Sequence, residues 1–156
     1  MLKKSRVAVS GISISAALLV AIAAHEGYTD HAVEPVPGDV PTIGFGTTAG
    51  VKMGDKITPQ RAMVRLLADA DKHANAVREC APVEMYQHEF DAYVSLTYNI
   101  GARAFCTSTV ARKLKAGDYD GACQAILAFD KFKGKPLPGL TKRRQDEYKQ
   151  CVGRAS

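Results

Sequence analysis

Eighteen consecutive residues, Val7 to Ala24, carry no charge, and they run almost directly into a carboxylate at Glu26, followed by Gly27. A helix of that length spans about 27 Å, close to the roughly 30 Å of bilayer hydrocarbon. Ser10, Gly11, Ser13, Ser15 and several alanines dilute its Leu, Ile and Val content, so it is a weak span. Lys3, Lys4 and Arg6 precede it, a placement that keeps the N-terminal side in the cytoplasm and exports the remainder. A retained anchor, a cleaved export peptide and a helix of a soluble fold all fit this pattern. Cleavage near Ala24 would leave Glu26 almost at a chain end, poorly supported for precise chemistry. The expectation is therefore a weak membrane segment over residues 1–24 that leaves the bilayer and packs as a helix.

The rest of the chain is long enough for one domain, 25–156. Pro35, Pro37, Gly38 and Pro41 impose turns, and Thr42-Ile43-Gly44-Phe45-Gly46 reads as a strand interrupted by glycines, giving a small hairpin or three-stranded lobe near 28–48. Thr58-Pro59 opens a helix whose stripe is Met63, Leu66, Leu67, Ala70, Ala74 and Val77. Phe90, Tyr93, Val94 and Thr97 repeat at helical spacing up to Asn99-Ile100-Gly101. Shorter helices follow over Ser108–Leu114 and Tyr119–Phe129, with Gly117 between them. Lys131–Gly139 reads as an exposed connection, and Leu140–Val152 as a last helix with Arg143, Arg144, Asp146 and Glu147 facing solvent or partner groups. The fold class is α+β: predominantly helical, with a small antiparallel β lobe.

A formal charge of +5 favours an anionic partner, such as anionic lipid or a cell-wall polymer. The basic residues are scattered without a nucleic-acid motif, so no nucleic-acid partner is expected. Cys80, Cys106, Cys123 and Cys151 lack CxxC spacing, and His31, His73 and His88 show no ligand pattern, so neither metal nor cofactor is expected. Two disulfides in an oxidising compartment are the better reading, against four buried thiols in a cytosolic core. Of three pairings, Cys123 with Cys151 is preferred because both lie in the C-terminal helical segments, which leaves Cys80 with Cys106.

Glu26 stands where the apolar helix meets the β lobe, and apolar shielding there suits a carboxyl acting as an acid. Cleaving a glycosidic bond needs such an acid and a second polar group that activates water. Asp39 is the candidate for that group, with Thr42 holding the water through its hydroxyl; Asp30 and Glu34 are rival carboxylates. A separation of about 6.5 to 9.5 Å between the two carboxyls would favour inversion. Tyr98 either stacks on a sugar or packs beneath the site. Asn99 either hydrogen-bonds glycan or ends its helix. Arg143 either meets peptide carboxylates or braces the last helix.

Glu26-Gly27, the strand Thr42 to Gly46, Tyr98-Asn99-Ile100-Gly101, Phe105 with Ser108-Thr109, and Gly139-Leu140-Thr141-Lys142-Arg143-Arg144 occur in an order that resembles the phage-type lysozymes related to T4 lysozyme, over about His25 to Gly153. The resemblance implies a lysozyme-like fold and a muramidase that cuts the β-1,4 bond between N-acetylmuramic acid and N-acetylglucosamine in peptidoglycan during host lysis. It implies Glu26 as general acid and Thr42 as a residue positioning water. Two departures stand out: the family places Asp or Cys six residues before the Thr, where this chain has Val36, and many relatives carry His where Thr47 stands. Asp39 is the inferred replacement for the first.

The N-terminus is similar to that of signal-anchor-release endolysins, which host export machinery delivers to the inner membrane and which then escape to the periplasm. No cysteine precedes Cys80, so release by thiol exchange within the anchor is excluded. A monomer is expected after release. The competing reading is a non-catalytic peptidoglycan-binding protein on the same scaffold.

Overall fold

The computed structural model describes residues 5–154; Lys3 and Lys4 of the N-terminal basic group lie outside them. In chain order the elements are β1 (Val7–Ala8), α1 (Ala16–Glu26), β2 (Thr29–Val33), β3 (Thr42–Gly44), α2 (Pro59–Cys80), β4 (Glu84–Met85), α3 (Gln87–Ile100), α4 (Ala102–Cys106), α5 (Thr109–Lys115), α6 (Tyr119–Ala125), β5 (Lys131–Phe132), β6 (Lys135–Pro136) and α7 (Pro138–Cys151). Short 3-10 turns occupy Val9–Gly11 and Ile126–Ala128. The backbone divides into two compact units: Ala16–Asp71, and Met1–Ser15 with Lys72–Ser156. The smaller unit is wider than the lobe expected over 28–48, because α1 and the first half of α2 belong to it.

In the smaller unit, Leu18 and Ile22 sit one turn apart on α1 and are fully buried. β2 and β3 pair antiparallel, Thr29 with Gly44 and Val33 with Thr42, with an irregularity in register between. A third segment joins only through a bridge, His31 with Lys56, and through two backbone bonds, Ala32 N–H to Asp55 and Ile57 N–H to Asp30, both 2.9 Å. Ala32, Ile43 and Val51, with Ile57 against them, form the small apolar cluster of this lobe. Gly44 has φ +65°, and a Cβ there would lie 2.9 Å from the Ala62 Cβ of α2. Only glycine lets the hairpin come this close to the helix.

Helix α2 starts where Thr58-Pro59 predicts, the Thr58 hydroxyl accepting from Arg61 N–H at 3.4 Å. Its buried stripe is Ala62, Leu66, Ala70, Ala74 and Val77, while Met63 and Leu67 are exposed. Leu66, Ala70, Ala74 and Val77 of the expected stripe are covered, and only its edge differs, Ala62 being covered where Met63 and Leu67 were expected.

In the larger unit, α3 is buried on every side from Glu89 to Thr97, as suits a helix at the centre of a helical unit. Glu89 accepts from the Tyr86 N–H at 2.9 Å and caps the helix start, and Gly101 (φ +89°) ends it. Ser108 caps α5 by accepting from Ala111 N–H, and Asp118 caps α6 by accepting from Gly121 N–H. Disulfides join Cys80 to Cys106 and Cys123 to Cys151, as preferred from the sequence.

Two expectations need correction here. Arg143, Arg144 and Glu147 do not face solvent: they are 6%, 0% and 2% exposed. Glu147 pairs with the Nε of both arginines, at 3.2 Å and 2.7 Å, and accepts from the Ser95 hydroxyl at 2.7 Å. Burial pushes its carboxyl up, and the two guanidiniums oppose that shift. A buried cation needs such a partner, which the polar spelling of α7 concealed.

The second correction concerns Val7–Ala24, which is not one helix. β1 pairs with β4, Val7 opposite Met85, and α1 begins only at Ala16. Among the described residues no helix is long and apolar enough to cross a membrane. The stretch that is weak as a helix instead makes hydrogen bonds within the larger unit. The Ser15 hydroxyl donates to Asp91 at 2.6 Å, and the Ile12 carbonyl accepts from Arg78 at 2.6 Å. The Arg6 guanidinium donates to Glu89 at 2.7 Å and lies over the rings of Tyr86 and Tyr119, 4.5 Å and 3.8 Å from their centroids.

Candidate active site

Glu26 is the last residue of α1 and is half-buried. Gly27 follows at φ +71° and its N–H bonds the Ala23 carbonyl at 3.0 Å, a left-handed cap that turns the chain into β2. Further along, Ile43 and Thr47 exchange backbone bonds of 3.0 and 3.1 Å, folding Gly44-Phe45-Gly46 into a tight turn. Gly46 has φ +86°, and a Cβ on it would lie 3.4 Å from Glu26 Oε2. The turn backbone therefore passes directly against the carboxyl. This closeness is what the motif Thr42 to Gly46 encodes.

Thr42 opens β3 and is half-buried, its hydroxyl donating to the Val33 carbonyl at a long 3.4 Å. Asp39 is exposed in the loop that closes this hairpin. Its N–H bonds the Val36 carbonyl at 2.9 Å, and its Oδ1 accepts from Val40 N–H at 2.8 Å, fixing the orientation of the carboxylate. Of the rivals, Glu34 is turned back onto Gly38 N–H at 3.1 Å. Asp30 is bonded to His31 Nδ1 at 2.6 Å, which holds its carboxyl below the usual range. Glu26, Asp39 and Thr42 thus belong to one unit, while Tyr98, Asn99 and Arg143 belong to the other.

In that other unit Tyr98 is half-buried with its ring 5.1 Å from that of His73. Asn99 is exposed at the end of α3, and its Oδ1 accepts from the buried Arg144 at 3.0 Å. Arg143 lies beneath the surface, its guanidinium donating to Glu147 at 3.2 Å and to the Ser95 carbonyl at 3.4 Å.

Three features of the smaller unit go beyond the sequence reading. Thr47 is 3% exposed and its hydroxyl donates to Asp69 at 2.6 Å, tying the turn to α2. Tyr28 packs on Phe45 at 5.4 Å and donates to the Ile57 carbonyl at 3.1 Å, bracing the same turn from the residue before β2. A groove of about 400 Å³ beside Ile43 is edged by Lys56, Arg61 and Arg65. Thr47 was legible as a departure from a His; the other two depend on contacts between distant segments.

A carboxyl on a helix end, a glycine turn against it and a helical unit built round one buried helix define a lysozyme-like α+β protein. A solved structure described as the muramidase domain of SpmX from Asticaccaulis excentricus superposes with a TM-score of 0.83 at 30% identity, covering 90% of this chain and 97% of that one. The phage lysozyme family model matches residues 23–147, and the chain belongs to that family. An endolysin of Acyrthosiphon pisum secondary endosymbiont phage 1 is 42% identical over 110 residues, 68% of this chain and 75% of the relative. A SAR-endolysin of Pseudomonas phage phiKMV is 36% identical over 141 residues, 88% of this chain and 87% of the relative.

Proposed function

We propose that this chain is a phage endolysin that hydrolyses the β-1,4 bond between N-acetylmuramic acid and N-acetylglucosamine in bacterial peptidoglycan. Glu26 protonates the leaving oxygen, Asp39 orients and deprotonates water, and Thr42 holds that water with its hydroxyl. The observation that supports this most is the approach of the Gly46 backbone to Glu26 Oε2, which fixes a half-buried carboxyl beside the hairpin that carries Thr42. Asn99, its oxygen engaged by Arg144, offers its amide nitrogen to glycan, and Tyr98 offers a ring edge. Arg143 we place in the scaffold, because its donors are directed inward.

The residues before Glu26 serve as a signal anchor that carries the protein to the inner membrane, from which it is released as a periplasmic monomer. Support comes from the uncharged stretch, the SAR-endolysin relative, and two disulfides that suit an oxidising compartment. β1 paired with β4 is then the state after release.

The test is reducing-sugar release from purified peptidoglycan by the protein and by Glu26→Gln. A loss of about 10³-fold is expected with the melting temperature unchanged; equal release would remove the assignment. Among Asp39→Asn, Asp30→Asn and Glu34→Gln, the first should lose most. Membrane fractionation over time checks the address, which fails if the protein stays only in the cytoplasm or only in the membrane.

A further inference from the structure

The segment expected to be a plain exposed connection is a projecting β-hairpin. β5 and β6 pair with Lys131 opposite Pro136 and Phe132 opposite Lys135, leaving Lys133-Gly134 as a two-residue turn. Both turn residues have positive φ, +49° and +78°, the requirement of a type I′ turn. Asn-Gly is the usual choice there, yet a lysine stands at the first position. It is the one non-glycine residue with positive φ among the described residues. The tip of the hairpin therefore carries a cation.

The hairpin joins that charge to uncovered hydrocarbon. Lys131, Lys133 and Lys135 fall within five residues, and no acidic residue occurs between Lys131 and Leu137. Asp130 at the base is 3.6 Å from Lys131 and neutralises only that end. Phe132 is 57% exposed and Leu137 47%, and every residue from 131 to 139 is exposed. The Lys133 ammonium lies 5.4 Å from the Phe132 ring centroid, so cation and ring share the tip. Three lysines alone would suit any polyanion in water. An exposed Phe and Leu beside them suit a surface that has hydrocarbon beneath its anions, into which the ring can sink while the lysine stems lie along it.

We propose that the Lys131–Leu137 hairpin docks on the surface of an anionic phospholipid bilayer, with Phe132 and Leu137 entering the headgroup boundary and the three lysines meeting lipid phosphates. The docking does not depend on Glu26 or on glycan cleavage, so it stands or falls separately from the hydrolase reading.

The chain has no tryptophan, so Phe132→Trp places a single indole at the tip of the full-length protein. Its emission should move to the blue and become protected from an aqueous quencher when vesicles of phosphatidylcholine with phosphatidylglycerol are added. In vesicle sedimentation, Lys131→Gln/Lys133→Gln/Lys135→Gln should weaken partition about a hundredfold, from about fivefold per lysine. Phe132→Ser should weaken it about tenfold. Lys52→Gln/Lys115→Gln/Lys149→Gln removes the same charge from exposed positions elsewhere and should change partition only a few-fold. The proposal is overturned by an unshifted indole, or by equal losses in the two triple variants, which would mean attraction by net charge alone. It is equally overturned if the hairpin variant keeps its vesicle partition and loses binding to purified peptidoglycan, which would make the hairpin a wall-contact element.

Discussion

The two units of the molecule are stabilised by different means. The larger one is built round α3, buried on all sides, with both disulfides and a fully buried arginine, Arg144, held by Glu147. The smaller one carries the proposed acid, yet its sheet rests on a cluster of Ala32, Ile43 and Val51 with Ile57, and on turns made by glycines. Strong packing and covalent ties lie with the scaffold, and close backbone approach lies with the chemistry. The difference teaches that damage to one unit should be read as lost stability, and damage to the other as lost activity.

The largest test of that division is Glu147→Ala. It leaves Arg143 and Arg144 buried with their charges uncompensated, and about 5 kcal/mol of unfolding free energy should be lost in urea titration. A loss under about 1 kcal/mol would show that the ion pairs do not carry the scaffold.

Next comes Cys123→Ser/Cys151→Ser, which opens a link across 28 residues and should cost about 3 to 4 kcal/mol. Below the melting point its glycan-cleaving rate should stay within about twofold, because the link lies in the scaffold. A matching collapse of activity would break the contrast.

In the smaller unit Gly46→Ala should do the reverse. The positive φ and the 3.4 Å approach to Glu26 cost only about 1 to 2 kcal/mol of stability. Activity should nevertheless fall about a hundredfold, since the displaced atom is the proposed acid. Denaturation and reducing-sugar assays on the same preparation separate the two effects.

The smallest effect is in pH dependence. Burial raises the Asp91 carboxyl above its ordinary value of 3.8, against the Ser15 and Gln87 hydrogen bonds that lower it. The folded state therefore binds more protons than the unfolded one just above pH 3.8. Stability from this group is complete below that pH and is lost as pH rises through the folded value. Asp91→Asn should flatten this fall in chemical denaturation across the acid range; an unchanged slope would assign it to other groups.

Local signals carried most of the fold. Thr58-Pro59, Ser108 and Gly101 mark helix ends through their own backbone demands, so those boundaries were readable. The cysteine pairing followed from which segments are helical. What stayed hidden was long-range pairing: β1 with β4, the covering of Arg143 and Arg144, and the exposure of Met63 and Leu67 at the edge of the α2 stripe. A single residue's polarity does not reveal a partner 83 positions away, as between Arg6 and Glu89. At the site, Glu26 and Thr42 were named by an ordered motif. The contact between Gly46 and the carboxyl was not, because it depends on how two turns meet.

The union of β1 with β4 also bears on proteolysis. A peptidase that cut after Ala24 would remove Arg6, the strand opposite Met85, and the Ser15 hydroxyl from Asp91. Glu89 and Asp91 would then lose partners beneath a newly opened surface, and Glu26 would be left near a frayed end. In this fold the residues before Glu26 are structural parts of both units. Trimming there should therefore lower stability and activity together, unlike damage confined to one unit.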